Sequence, residues 1–346
     1  MKKFLIGLCG LPNSGKSTLI KLLSKVETEI APYPFTTLKP KEVAVPIVTS
    51  KLDELWQITK TEEKIPGYLF FLDVPGLIKG AHRGEGLGNE FLSYLRQADY
   101  VLEVVRNFER SDVSHIEGSL NPERDILIIE NEIIEADKRI IEDNLTKLQK
   151  TKDKKIEAII SHLEKLLRQL EPFRRFPEYQ EPLREYNLLL AKDWLLLFNG
   201  SKLPSAFQTA VSNQPDKYSI FSKVYQLDFL WELQLAEENE LKTEIESGVE
   251  SFLQRLVKDL GLIQFFTLSE GKITQLWFIK QGSTIVEAAG LIHSDFQEKF
   301  KYAEIVSLEK FKEAGSWKQA KEQGIVMVVG REYVVQNGDI VKIFIH

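Results

Sequence analysis

The stretch "FLIGLCGLPNSGKSTLIKLL", residues 4–23, decides the fold. Phe4–Leu8 is a short apolar run, long enough for a buried strand and too short for a core helix. Gly10-x-x-x-x-Gly15-Lys16-Ser17 follows at once, and "STLIKLL" then has helical spacing. Strand, glycine-rich turn and helix in that order form a phosphate loop. Its glycines let backbone N–H groups converge on an anion, and the helix N-terminus adds its dipole. Asn13, Ser14, Gly15, Lys16, Ser17 and Thr18 are the expected cradle. Lys16 reaches the terminal phosphates as the catalytic cation, and the Ser17 hydroxyl ligates Mg²⁺.

A phosphate loop needs a metal-facing carboxylate, and "FFLDVPG", residues 70–76, supplies one. The strand ends at Asp73, expected to hold Mg²⁺ through water. Gly76 follows, with its N–H aimed at a γ-phosphate. In the intervening "YPFTT", residues 33–37, Thr37 is chosen over Thr36 to complete the metal shell. Leu77 stands where a regulatory GTPase places Gln, and an aliphatic side chain cannot orient water by hydrogen bonding. Hydrolysis is therefore expected to be slow, or to rely on another group. His115, in "SHIEG", is that candidate, as a base near neutral pKa.

The bulk numbers set the frame. A chain of 346 residues exceeds one ordinary core and implies two or three domains. Net charge of −6 gives no whole-molecule argument for nucleic acid binding. The single Cys9 forms no intramolecular disulfide and is read as a buried structural thiol in a reducing, cytoplasmic setting. The apolar start imitates a secretory leader, but the run breaks at Pro12-Asn13-Ser14-Gly15-Lys16 and no small-x-small cleavage site follows. No run of about 20 apolar residues is present, so no membrane span is expected.

Further strand-like runs fall at Glu42–Val48, Tyr68–Leu72, Tyr100–Val105, Trp194–Phe198 and Tyr218–Phe221, alternating with helical patterns. That alternation argues for an α/β sheet with helices on its faces. Residues 121–185 have apolar positions at three- and four-residue spacing, in "RDILIIENEIIEADKRIIEDNLTKLQK" and "IEAIISHLEKLLRQL". They are read as an inserted helical hairpin, a protruding arm in preference to a helical layer on the sheet. From Ile263, short β-type runs ("QFFTL", "LWFIK", "MVVG", "YVVQ", "IVKIFIH") surround a helix near Thr284–Leu291. The expected domains are 1–120 with 186–262 for nucleotide binding, 121–185 for the arm, and 263–346 for a small α+β unit.

"LLLFNGSK", residues 195–202, resembles a base-reading segment with altered letters. Asn199 and Gly200 are the candidate base contacts. A guanine reader ends this segment in a carboxylate that accepts from the base; here Lys202, with donors only, stands there. ATP at least as tight as GTP, with weak discrimination, is the expectation.

"DVPGLIKGAHRGEGLGNEFLSYLRQAD" resembles the switch region of Obg-related phosphate-loop proteins. "KGxxxGEGLGN" (Lys79–Asn89), "VVRNF" (Val104–Phe108), "SHIEG" (Ser114–Gly118) and "NPERD" (Asn121–Asp125) are similar to the YchF/Obg-like ATPase branch. The C-terminal "FFTLSEG…AAGLIHSDFQEKFKYAEIV…YVVQNGDIVKIF" looks like that family's TGS domain. The resemblance implies a phosphate-loop domain, a coiled-coil insertion and a ubiquitin-like β-grasp TGS domain. It also implies ATP hydrolysis, points to His115, and suggests work with the ribosome. The sequence departs from the family at Thr36, often Cys, and at Lys202, commonly Glu; its arm also looks short. Three readings remain: a slow Mg²⁺-dependent NTPase switch, a nucleotide-gated ribosome or RNA adaptor with negligible hydrolysis, or a GTP-specific Obg-type GTPase.

Overall fold

The computed structural model describes residues 3–25, 42–74, 87–109, 115–148, 186–200, 202–204, 221–227, 239–269 and 271–346. The first part runs β1 (Leu5–Cys9), α1 (Lys16–Lys25), β2 (Glu42–Ile47), α2 (Ser50–Thr59), β3 (Glu63–Ile65), β4 (Gly67–Asp73), α3 (Leu87–Gln97), β5 (Tyr100–Arg106) and α4 (Pro122–Leu148). A 3-10 turn (Leu189–Ala191), β6 (Asp193–Asn199), β7 (Phe221–Leu227) and α5 (Asn239–Asp259) follow. The C-terminal part runs β8 (Leu262–Ser269), β9 (Ile273–Lys280), α6 (Ile285–Ile292), α7 (Ser294–Glu298), β10 (Phe300–Ser307), α8 (Leu308–Ala314), α9 (Trp317–Glu322), β11 (Met327–Val329) and β12 (Asp339–Ile345).

The first sheet has the order β2-β4-β1-β5-β6-β7. Only the β2–β4 pairing is antiparallel. Central parallel strands are covered on both faces, which explains why β1, β5 and β6 read as continuous apolar runs. The phosphate loop leaves the C-terminal end of β1, where ligands collect in open α/β sheets. The second sheet has the order β11-β10-β12-β8-β9-β3. Its hairpin β8–β9, the helix α6 and the parallel pairing of β8 with β12 make a β-grasp unit. Thr284 starts α6 with a capping box, exchanging hydrogen bonds with Glu287.

Several expectations change against this architecture. The second sheet takes β3 from the N-terminal segment, because Glu63–Ile65 pairs in parallel with Ile273–Gln275 of β9. The boundary at residue 263 therefore does not separate the two sheets. One apolar core runs between them, joining Leu69 and Phe71 to Phe266, Leu276, Phe278 and Ile340. "YVVQ" is not a strand; Val334 makes an isolated bridge to Thr284. The seventh strand begins at Phe221 and runs to Leu227, past the expected end, while residues 218–220 lie outside the described residues.

α4 also differs from a free arm. Ile129, Ile133 and Ala136 are buried with Leu92, Leu95 and Trp194, so its first half is a layer on the sheet. Fully buried Asp137 fixes it there. It accepts from Arg96 (2.8 Å) and from the backbone N–H groups of Leu189 (3.1 Å) and Leu190 (2.8 Å). The second helix expected over 156–170 lies outside the described residues.

Candidate nucleotide-binding site

The phosphate loop is built by backbone conformations that its residue types permit. Gly10 has φ of 141°, Asn13 63° and Gly15 104°. A Cβ on Gly10 would lie 2.4 Å from the Val104 carbonyl oxygen, so only glycine fits between the loop and β5. Lys16 opens α1, and its ammonium donates to the carbonyls of Gly10 (2.9 Å) and Leu11 (2.8 Å). Burial lowers its pKa to about 8, opposed by the nearby Cys9, Asp73 and Glu103. The Ser17 hydroxyl, in the first turn of α1, donates to Asp73 Oδ2 at the end of β4 at 3.2 Å. Two hard oxygens thus face one point beside the loop. That donor set fits Mg²⁺, which binds through few protein oxygens and keeps phosphates and waters as its other ligands. Among the described residues no cluster of three or more His, Cys, Asp or Glu forms a self-sufficient metal cage. Thr37, Gly76 and Leu77 lie outside the described residues.

The base-reading segment meets the loop directly. Asn199 ends β6 fully buried, and its Nδ2 donates to the Ser14 carbonyl at 3.0 Å. With Nδ2 committed to that bond, Oδ1 remains as the acceptor, buried and without a hydrogen-bond partner among the described residues. Gly200 is required sterically, since a Cβ there would lie 2.1 Å from the Asn107 carbonyl oxygen. The Lys202 side chain is exposed, while its backbone carbonyl accepts from Asn107 Nδ2.

His115 is placed differently from its expected role. Its Nδ1 accepts from the Glu117 backbone N–H at 3.1 Å, so the ring proton is on Nε2, which donates to Asp125 at 2.8 Å. Asp125 is also held by Arg124 (3.0 Å). Both ring nitrogens are engaged, which leaves no lone pair to accept a proton from water. His115 lines the back of the loop with Leu11, Pro12, Ser14, Glu103 and Arg106.

Two groups were missed. Glu103 on β5 is fully buried, and neither carboxylate oxygen has a hydrogen-bond partner among the described residues. Burial pushes its pKa well up, Glu130 and Asp125 push it further, and Lys16 opposes them. The signal was present in the sequence: an acidic residue interrupts the apolar run "YVLEVV". Asn107 lies within the quoted "VVRNF", but its role did not show there, because its contacts cross to a segment far along the chain. Cys9 is buried with its thiol pKa pushed well up, foremost by burial, as a structural thiol requires.

The comparisons decide the family. Obg-like ATPase 1 of Homo sapiens is 34% identical, over 97% of this chain and 91% of that protein. Ribosome-binding ATPase YchF of Bacillus subtilis is 34% identical, over 97% of each chain.

The chain belongs to the YchF/Obg-like ATPase family.

A family model described as a 50S ribosome-binding GTPase matches residues 5–162. The model of the YchF GTPase C-terminal domain, described as a protein of unknown function, matches residues 262–345. The structure of the Schizosaccharomyces pombe YchF GTPase superposes with a TM-score of 0.81 at 27% identity, covering 99% of this chain and 98% of that one. The expected fold, a phosphate-loop α/β domain followed by the family's C-terminal domain, is the one observed.

Proposed function

We propose that this member of the YchF/Obg-like ATPase family is a slow, Mg²⁺-dependent ATP hydrolase, acting as a cytoplasmic nucleotide switch with the ribosome. The carrying observation is the meeting of Lys16 and Ser17, at the start of α1, with Asp73 at the end of β4. In this reading Asn13, Ser14, Gly15 and Thr18 complete the phosphate cradle, the Gly76 N–H senses the γ-phosphate, and Thr37 completes the Mg²⁺ shell. Ser17 and Asp73 would hold Mg²⁺, which would supply positive charge against the charge developing on the phosphates. Lys16 leaves its two carbonyls for the phosphates, which offer a stronger, charge-assisted bond.

ATP is preferred over GTP because of Asn199. Its Oδ1, buried and still lacking a partner among the described residues, would accept from the amino group that adenine carries at position 6, where guanine carries an oxygen. No carboxylate stands at Lys202 to accept from guanine. One net hydrogen bond contributes about 1 kcal/mol, so discrimination is weak. The engaged ring of His115 and the aliphatic Leu77 favour slow hydrolysis, and they also support the adaptor reading. The helical arm and the C-terminal domain are the proposed ribosome or RNA contacts. The tip lysines Lys147, Lys150, Lys152, Lys154 and Lys155 belong to this proposal, though their side chains lie outside the described residues. The relative from Bacillus subtilis is named for ribosome binding.

Side-by-side ATP and GTP titrations at fixed Mg²⁺, with turnover measured with and without ribosomes, test the proposal. GTP binding a hundredfold tighter than ATP overturns the base assignment. Nucleotide-dependent co-sedimentation with ribosomes but no turnover leaves the adaptor.

A further inference from the structure

We propose that Asn107 is a positioning residue for base recognition: it braces the segment around Asn199 and Lys202 so that the Asn199 amide faces the purine. This rests on the reading of Asn199 as a base contact.

Three contacts converge on Asn107, which follows β5. Its backbone N–H donates to the Asn199 carbonyl at 2.8 Å. Its side-chain Nδ2 donates to the Lys202 carbonyl. Its own carbonyl lies against Gly200, where no side chain fits. The opposite side of the segment is held from β7. Gln226 Nε2 donates to the Gly200 carbonyl at 3.1 Å, and the Gly200 N–H donates to the Leu227 carbonyl at 3.3 Å. The segment is therefore gripped between the ends of β5 and β7. Inside that grip, Asn199 spans to the phosphate loop through Ser14.

The backbone contacts survive any substitution, but the bond to Lys202 depends on the Asn107 amide. It fixes the fourth residue of the segment by its carbonyl and leaves the ammonium in solvent. The family's base-reading position thus acts here through main chain, and the lysine's charge is irrelevant to the purine. Among the described residues Asn107 makes no hydrogen bond to the phosphate loop, so its effect separates base binding from phosphate binding.

The experiment uses the full chain with Asn107→Ala and Asn107→Asp, titrated calorimetrically with ATP and with inorganic tripolyphosphate, both with Mg²⁺. Aspartate keeps the shape and removes the donor. Both variants are expected to weaken ATP about fivefold, the scale of one net hydrogen bond. Tripolyphosphate, which has no base, should bind as it does to the unsubstituted chain. Unchanged ATP affinity in both variants overturns the brace. So does an equal loss for tripolyphosphate, which would mean general damage to the loop. Unsubstituted protein that binds tripolyphosphate as tightly as ATP overturns the base-reading role of Asn199 itself.

Discussion

The Ser17 hydroxyl and the Asp73 carboxylate lie 3.2 Å apart, although 56 residues separate them in the chain. The register that brings them together is the parallel pairing of β1 with β4, in which Leu8 stands opposite Asp73. A one-residue slip would turn Asp73 to the other face of the sheet.

Asp73→Asn should raise the Mg²⁺ concentration needed for half-maximal ATP turnover about tenfold or more, since an amide oxygen carries no charge for the cation. Circular dichroism should stay unchanged. A Mg²⁺ titration identical to that of the unsubstituted protein would remove Asp73 from the metal site.

Lys16→Ala should abolish high-affinity ATP binding and leave the fold intact. The lysine bonds only its own loop's carbonyls, so its loss costs little packing. Unchanged affinity in calorimetry, with a normal circular-dichroism spectrum, is the contrary result.

ATP affinity should fall as pH rises through about 8, the value to which burial lowers Lys16. Phosphate binding needs the charged ammonium, so binding above this pH must draw a proton from solvent. Calorimetry at pH 8.5 in buffers of different ionisation enthalpy should register that uptake. For stability the sign is opposite. Between about 8 and 10.5 the unfolded chain holds the proton that the folded chain has released, so this lysine's contribution rises with pH.

Burial raises Glu130 from 4.5 to about 7. Between those values the folded chain keeps a proton that the unfolded chain has lost. Stability from this group is therefore full below pH 4.5 and declines as pH rises towards 7. Glu103 shifts in the same direction. Glu130→Gln should stabilise the protein above pH 7 by on the order of 2 kcal/mol and flatten the decline. Urea denaturation at pH 5 and pH 8 checks this; an equal effect of the substitution at both would contradict it.

The phosphate loop was legible because its chemistry is local. Each of Gly10, Gly15, Lys16 and Ser17 is demanded by a turn and a helix start within nine residues of chain. Asp73 was legible for the same reason, as the polar end of an apolar strand. The α4 helix was legible as a helix but not in its placement, since an apolar stripe does not say whether sheet or helix covers it. The packing of Ile129, Ile133 and Ala136 on Leu92, Leu95 and Trp194, and the buried bond between Arg96 and Asp137, reveal the layer. β3 was hidden because Glu63–Ile65 has no period of its own and pairs with β9, more than 200 residues away. β10 has strand character, but its surroundings in two short helices gave no turn signal to frame it. His115 shows a limit of residue type: imidazole suits a base, yet the neighbouring N–H of Glu117 decides which nitrogen carries the proton.

The path of the chain through β2, β3 and β4 bears on how such a protein could be cut or recombined. The polypeptide leaves the first sheet at Ile47, lends a strand to the second, and returns at Gly67, where Phe278 packs so closely that no Cβ fits. A fragment starting at Leu262 would lack the outer neighbour of β9 and expose a row of unpaired amides. The complementary fragment would keep a stitch with nothing to fasten it to. The C-terminal unit is therefore no cut-and-paste cassette: a gene fusion that moves it to another nucleotide hydrolase must carry the loop from 48 to 66 as well.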